Sequence, residues 1–271
     1  MACALASLFG FVFLVVLILR VLYEGAAWVN EDFLRNYPST INPPKAGVKS
    51  AIWGTVWLIS ITLLISVPVG VASAVYLEEY AANDRLTRFI QLNIANLAGV
   101  PSIVYGILGL AVFVRLCRLD RTVIAGALSL SLLIMPVIII ASREALVAVP
   151  RSIRHAAVAL GASRWQTVRA HVLPAALPGI MTGVILAVSR AIGEAAPLLM
   201  IGALTYVAFV PEGPRDYFTA LPIQIYDWCD RPQQVFHHLA AAAIIVLLGI
   251  LIPMNAVAIT LRAWHQRRRI W

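Results

Sequence analysis

Long apolar runs, separated by short charged or proline-rich segments, make up most of the hydrophobic pattern of the chain. About 20 apolar residues, each adding about 1.5 Å of helix, cross a hydrocarbon core of about 30 Å. Six runs reach that length, and the predicted spans are Ala2–Tyr23, Ala51–Tyr76, Leu92–Val114, Thr122–Ala141, Ala175–Leu204 and His237–Leu261. The pattern therefore predicts an all-α integral membrane protein with a single transmembrane domain over residues 1–271.

The composition supports lipid as the main solvent of this chain. Of the 271 residues, 61% are hydrophobic, whereas a soluble domain is about half apolar. The net charge of +8 is spread over the segments between runs and the C-terminal tail, as topology signals are. No face is free for a basic groove, which argues against nucleic acid as a partner. The first run lacks a preceding basic segment and an Ala-x-Ala cleavage site, which favours a retained span over a signal peptide.

Six spans place both termini on the same side of the membrane. The longest run of uncompensated basic residues lies between Arg143 and Arg169, and the positive-inside rule makes that side cytoplasmic. We therefore expect a multi-pass inner (plasma) membrane protein with both termini in the cytoplasm. Cys117 and Cys229 then lie on the outer side, where they either pair or, as we favour, remain separate thiols.

The basic segment Ser142–Pro174 separates the fourth and fifth spans and is predicted to be a cytoplasmic loop. Ser152 is a candidate cap for a short helix over Ile153–Leu160, and Gly161 suits the left-handed residue that follows a helix. A second short helix is predicted over Trp165–Val172, because Pro174 follows it. Two short helices are thus expected to lie across the membrane surface.

One face of the first short helix carries the small and apolar residues Ile153, Ala156, Ala157 and Leu160. Such a face suits insertion into the groove of a partner protein. It equally suits a helix that rests on the lipid surface. Periodicity alone leaves both interpretations open.

The spacing within this loop resembles the cytoplasmic loop of ABC importer permeases, whose pattern is Glu-Ala-Ala, three residues, Gly, nine residues, Ile-x-Leu-Pro. The residues at matching positions are Ala156, Ala157, Gly161, Leu173 and Pro174. His155 occupies the Glu position and His171 the Ile position. The resemblance implies that an ATPase docks here, on Ile153, His155, Ala156, Ala157, Leu160 and Gly161.

Further stretches resemble the paired permeases of phosphate importers, PstA and PstC, over roughly residues 45–262. They are YLEEYA, NLAGVPSIVYGILGL, EALVAVP and SRAIGEAAPLL, and TALPIQIYDW with PMNAVAITLR is closer to the PstA branch. The resemblance implies a type I ABC importer permease fold with six transmembrane helices and a cytoplasmic coupling helix. The implied partners are a pair of ATP-binding subunits, a second, PstC-like permease, a periplasmic phosphate-binding protein, phosphate itself and membrane lipid.

The fifth run contains two charges, Arg190 and Glu194, four residues apart on a predicted continuous helix. A charge at the centre of a span costs about 2.5–3.5 kcal/mol on insertion scales. The pair either fixes helix packing or lines a path in which Arg190 attracts an oxyanion. We expect a substrate path, and assign Arg190, Glu194, Ser189 and Thr182 to it because they share one polar, small-residue stripe.

The chain has no P-loop, no HExxH and no Ser-His-Asp order. We therefore expect no catalytic site, metal or cofactor in this chain, and ATP hydrolysis by a partner. Three alternatives remain open: a permease for sulfate, molybdate or phosphonate, an anion channel or proton-coupled carrier, and an assembly subunit that does not transport.

Overall fold

The computed structural model describes residues 2–267, and the regular elements within that range are helical. The twelve α-helices are α1 (Ala2–Gly25), α2 (Glu31–Arg35), α3 (Lys49–Val75), α4 (Arg85–Ala98), α5 (Ser102–Gly109), α6 (Val123–Val147), α7 (Arg151–Ala159), α8 (Arg164–Thr167), α9 (Leu173–Gly193), α10 (Ala196–Ile201), α11 (Leu221–Cys229) and α12 (Gln234–Arg267). Strand-type pairing in the described residues is limited to an isolated bridge between Thr122 and Tyr217.

Five helical stretches are long and apolar enough to cross a membrane, namely Leu5–Trp28, Lys49–Tyr80, Val123–Val147, Arg164–Gly193 and Gln234–Thr260. A sixth crossing results if α4 and the helix Ser102–Leu116, which meet at 102°, count as one broken span. The prediction of six spans is therefore met only with one of them bent.

One compact unit of the chain consists of residues 2–57, 121–123 and 202–252. Its core includes the buried aromatic residues Phe33, Trp228 and Phe236, and Phe33 and Trp228 lie with ring centroids 6.1 Å apart. Gly25 lets α1 approach α12 closely, because a Cβ there would lie 2.6 Å from the carbonyl carbon of Ala241. Apart from this contact, the apolar stretch of α1 is not buried by other parts of the described chain.

The second compact unit consists of residues 58–120, 124–201 and 253–267. Helix α6 lies at its centre, and 67% of the most apolar stretch of this helix is buried. Buried hydroxyls join α6 to α3, since Ser131 donates to the carbonyl of Thr62 at 3.3 Å. Gly179 and Gly183 let α9 approach α6, because added Cβ atoms would meet Ala145 and Ala141. Gly179 and Gly183 are spaced as a GxxxG motif, and the close contact makes this motif a packing face of the fifth run.

The helix predicted to end before Pro174 does not end there. The chain runs from Arg164 to Gly193 as one span, through a π-helical turn at Val168–Val172. A wider turn directly before Pro174 accommodates the ring and the missing N–H of proline. The prediction of a separate surface helix over Trp165–Val172 is therefore wrong.

The fifth span also differs at its other end from the continuous helix expected over Ala175–Leu204. Helix α9 ends at Gly193, Glu194 is extended with φ −82° and ψ 113°, and α10 begins at Ala196. A continued helix would place the Pro197 ring against the carbonyl of Gly193, four residues earlier. The polar stripe of this span therefore extends only to Gly193.

The charged segment between the second and third predicted spans is partly helical. Asp84 caps α4 by accepting a hydrogen bond from the Thr87 amide at 2.8 Å, and that bond lowers the pKa of the Asp84 carboxyl. Helix α4 thus begins seven residues before Leu92, the predicted start of the third span, and ends at the Gly99–Pro101 break. A bend of 102° there fits the glycine and proline of NLAGVPS.

Candidate functional site

The ion pair of the fifth span lies at the break in its helix. Arg190 is in the last turn of α9, and its Nε lies 3.2 Å from Oε1 of Glu194, the residue that ends the helix. A cation in the last turn also interacts favourably with the helix dipole. The Arg190 side chain is 41% exposed and that of Glu194 is 18% exposed in the single chain. The predicted pairing is thus present, but the charges flank irregular backbone instead of lying within a continuous helix.

Ser189 and Thr182, the other two predicted path residues, make hydrogen bonds to α12. The hydroxyl of Ser189 lies 2.8 Å from Asn255 Oδ1, and the hydroxyl of Thr182 accepts a hydrogen bond of 2.8 Å from Nη1 of Arg262. The two contacts lie seven residues apart on both helices, as expected for an antiparallel helix pair with side chains on facing stripes. The contacts of Asn255 and Arg262 with α9 were not predicted. The sequence pattern indicated no role for Asn255, and Arg262 was included in the basic C-terminal tail.

An exposed stripe of α9 runs beside these contacts. Its members Leu186, Arg190 and Gly193 are exposed, whereas Ala187 and Ala191 on another face of the helix are buried. The stripe combines one glycine, one large apolar residue and one cation. A guanidinium on an exposed helix face of a membrane protein is costly against lipid, so this face suits contact with protein or water.

The short helix α7 confirms the predicted helix-and-glycine pattern of the loop. It runs over Arg151–Ala159 with Pro150 at its N-cap, so Ser152 lies inside the helix and is not the cap. Gly161 has a φ of +85°, in the left-handed region that favours glycine. A capping box follows, in which Ser163 and Gln166 exchange hydrogen bonds.

The predicted docking residues divide between two faces of α7. Ile153 packs against a buried apolar cluster, and Ala157 is only 6% exposed. His155, Ala156, Leu160 and Gly161 are exposed, with Leu160 at 90%. Val158, which the sequence interpretation left out, is also exposed. Of the four residues predicted to share one face of this helix, Ala156 and Leu160 are exposed, whereas Ile153 and Ala157, four positions apart, lie on its more buried side.

Arg154 makes more polar contacts than the other described residues of α7, although the sequence pattern indicated no particular role for it. Its guanidinium donates to Glu79, with Nη2 at 2.6 Å from Oε1, and also to the carbonyls of Leu146 and Val149 at 2.9 and 2.7 Å. Both members of the ion pair are largely buried, at 20% and 9% exposure. The YLEEYA stretch contained the signal for this contact, since adjacent glutamates next to an apolar span require partners.

Other polar side chains within the spans have ordinary structural contacts. The hydroxyls of Thr55, Ser66 and Ser129 donate to backbone carbonyls of their own helices. Cys117 and Cys229 are each free thiols. Within residues 2–267, no group of His, Cys, Asp or Glu is arranged to hold a metal ion.

These features define a class of multi-pass helical membrane proteins, in which one span is broken and a short helix lies between two spans. A family model described as "binding-protein-dependent transport system inner membrane component" matches residues 66–271. The chain belongs to this family. It is therefore a multi-pass inner-membrane permease subunit, as the sequence resemblance predicted.

Two relatives illustrate the similarity. The probable ABC transporter permease protein YqgI of Bacillus subtilis is 38% identical over 185 residues, which cover 68% of this chain and 63% of that protein. The chain thus spans less than two thirds of the length of this relative. The phosphate transport system permease protein PstA of Pasteurella multocida is 32% identical over 251 residues, covering 92% of this chain and 88% of that protein.

A solved structure shows the same fold at low sequence identity. The structure of a bacterial alginate ABC transporter, in complex with an alginate-pentasaccharide-bound periplasmic protein, contains a chain that matches with a TM-score of 0.69 and 16% identity. The match covers 95% of this chain and 91% of that chain. The predicted fold class, an all-α ABC importer permease, is confirmed.

Proposed function

We propose that this chain is one of two permease subunits of an ATP-driven importer that carries inorganic phosphate into the cell. The proposal rests on the family membership and on the 32% identity to a phosphate transport permease across nearly the whole chain. The proposed partners are a pair of ATP-binding subunits, a second, PstC-like permease and a periplasmic phosphate-binding protein. ATP hydrolysis is assigned to the ATP-binding subunits, since the chain has no nucleotide-binding motif.

The break at Glu194 is the observation that carries the assignment of the substrate path. Irregular backbone at membrane depth is tolerated only inside protein or beside a water-filled cavity. Here the break is flanked by Arg190 and Glu194, 3.2 Å apart, and Gly193 is exposed. A guanidinium keeps its charge and offers two parallel donors to a tetrahedral oxyanion. We assign Arg190 as the group that attracts phosphate and Glu194 as the group that holds Arg190 between passages.

Thr182 and Ser189 form the wall of this path in the proposal. Their hydroxyls bond to Arg262 and Asn255 of α12, so they fix α9 against α12 beside the exposed stripe. The second permease covers that stripe, because a half-exposed Arg190 would otherwise face lipid at a cost of several kcal/mol.

The outward face of α7 is the proposed docking surface for the ATP-binding subunit. Leu160, Val158 and His155 are exposed there, and Gly161 ends the helix in a turn that presents Leu160 outward. A small, partly apolar helix face suits insertion into a groove of a soluble partner. This assignment places α7, and with it both termini of the chain, on the cytoplasmic side.

Uptake by the reconstituted transporter tests the path. The wild-type complex in proteoliposomes is expected to accumulate radiolabelled phosphate with ATP inside and binding protein outside. Arg190→Gln, which keeps the length and polarity of the side chain but removes its charge, is expected to abolish uptake while the complex still assembles. Arg215→Gln, in a loop of the other compact unit, is the matched control. Normal uptake by the Arg190→Gln complex would refute the path, and accumulation of sulfate in place of phosphate would refute the substrate.

A further inference from the structure

Three consecutive residues at the end of the Lys49–Tyr80 span contact three arginines from three successive helices. Glu78 pairs with Arg143 of α6 at 3.2 Å, and Glu79 pairs with Arg154 of α7 at 2.6 Å. Tyr80 lies beneath the guanidinium of Arg164 of α8, 5.5 Å from the ring centroid. These residues belong to the π-helical turn Tyr76–Tyr80, which we call the anchor turn. The whole cytoplasmic segment between α6 and α9 is thus fastened to this turn.

The Glu79–Arg154 contact is the strongest of the three. Arg154 donates through Nε, Nη1 and Nη2, and its acceptors are the Glu79 carboxylate and the carbonyls of Val149 and Leu146. The Leu146 carbonyl lies in the last turn of α6 and the Val149 carbonyl lies two residues beyond its end, so one guanidinium joins α7, the end of α6 and the anchor turn. A planar fork with five donors can satisfy acceptors in several directions, which a lysine cannot. The contact therefore fixes orientation as well as distance.

The other two contacts are weaker and more exposed. Arg143 and Glu78 are 36% and 26% exposed and share a single bond, so solvent screens them. Ile153 packs α7 against the apolar cluster that includes Leu77 of the anchor turn, and Ala157 on the same side of α7 is buried. Apolar packing supplies contact area, and the buried ion pair supplies a directional link.

We propose that Glu79 and Arg154 are positioning residues that make α7 and the anchor turn move as one rigid body. A displacement of α7 by the docked ATPase is then transmitted to the Lys49–Tyr80 span as well. The chain path from α7 leads only to α6 and to the Arg164–Gly193 span. The ion pair adds a connection to a span whose contacting residue lies 75 positions earlier in the chain. This inference rests on the proposed docking of an ATPase at α7.

The coupling ratio, phosphate imported per ATP hydrolysed, tests the proposal in the reconstituted complex. Glu79→Gln keeps the shape and removes the charge, and Arg154→Lys keeps the charge and removes the fork. Both variants are expected to co-purify with the ATP-binding subunit at wild-type yield while the ratio falls about tenfold. The matched controls are Glu144→Gln and Arg88→Lys, which make the same changes at exposed positions and leave the ratio unchanged. An unchanged ratio in the assembled variants overturns the proposal, and so does loss of co-purification, because the pair would then only support the docking surface.

Spin labels measure the rigid connection directly. Labels replace Ser152 on α7, outside the proposed docking surface, and Tyr76 in the anchor turn, both exposed, in a chain whose cysteines are replaced by serine. The distance between the labels is expected to stay the same with and without ATP in the wild-type background and to broaden in the Glu79→Gln background. A distance that shifts with ATP in the wild-type background overturns the proposal.

A crosslink separates this inference from the proposed docking. A photoreactive residue at Leu160 is expected to crosslink to the ATP-binding subunit. If it does not, the docking assignment fails, whatever the ratio. If it does and the coupling ratio is intact in Glu79→Gln, only the inference fails.

Discussion

Arg262 donates a hydrogen bond of 2.8 Å from Nη1 to the hydroxyl of Thr182, eighty positions earlier in the chain. The same hydroxyl donates to the carbonyl of Pro178 at 2.9 Å. Thr182 therefore uses both its donor and an acceptor site, and it links two successive spans instead of standing free in a channel. Seven residues away, Ser189 makes the equivalent contact to Asn255.

Replacing Thr182 by Val keeps the shape of the side chain and removes this link. Hydrogen bonds between membrane helices contribute about 0.6 kcal/mol on average and up to about 1.7 kcal/mol, and the loss also leaves the Arg262 guanidinium without this acceptor. We expect the free energy of unfolding of the detergent-solubilised chain to fall by about 1–2 kcal/mol. Thr260→Val is the control, because that exposed hydroxyl donates only to its own helix, at the carbonyl of Val257. Equal stability of the two variants would show that the Thr182 contact is energetically neutral.

Glu194→Gln is expected to change the affinity for phosphate in the opposite direction to removal of Arg190. With Glu194 neutral, the cation retains its attraction for phosphate but loses the competing carboxylate 3.2 Å away. Phosphate should then be held more tightly, so the apparent KM falls while the maximal uptake rate also falls. Initial uptake rates over a range of loaded binding protein measure both quantities. A raised KM with an unchanged maximal rate would contradict the role assigned to Glu194.

The sequence was sufficient for the positions of the apolar runs and for the local signals at the loop. Gly161 takes the left-handed conformation that the end of α7 requires, and Gly179 and Gly183 form the packing face that their spacing indicates. These features depend on residues within a few positions of one another, which is the range over which periodicity and capping patterns carry information.

The failures concern prolines and long-range contacts. Pro174 was expected to end a helix, but a π-helical turn absorbs it, whereas Pro197 does coincide with a break at Glu194. A proline thus interrupts the helix in one place and not in the other, and the packing around each position determines which occurs. The Glu79–Arg154 pair joins residues 75 positions apart, and no short-range pattern encodes which arginine a glutamate meets.

Gly183→Val should loosen the contact between α9 and α6. A Cβ at Gly183 would overlap the side chain of Ala141 on α6. The two helices must therefore move apart to accept a branched side chain. Overpacking of this kind costs about 1–3 kcal/mol, which we expect as a lowered Tm in detergent. Gly249→Ala is the control, since nothing lies within 4 Å of its added Cβ, and it should leave the Tm unchanged or raise it. A Gly183→Val protein as stable as the control would show that this contact yields without cost.

The two free thiols provide a test of the orientation. Cys117 and Cys229 lie on the outer side if both termini are cytoplasmic, so a membrane-impermeant maleimide added to whole cells with a permeable outer membrane should label both. Cys229 is exposed, but partial desolvation by its neighbours raises the pKa of its thiol. Since the thiolate is the reactive form, its labelling should be slow at neutral pH and accelerate as the pH rises through that raised pKa. Cys117→Ser and Cys229→Ser each leave one of the two sites, which assigns the signal to a residue. In a chain whose Cys3 is also replaced by Ser, labelling only after the inner membrane is permeabilised would reverse the orientation and place α7 outside, away from any ATPase.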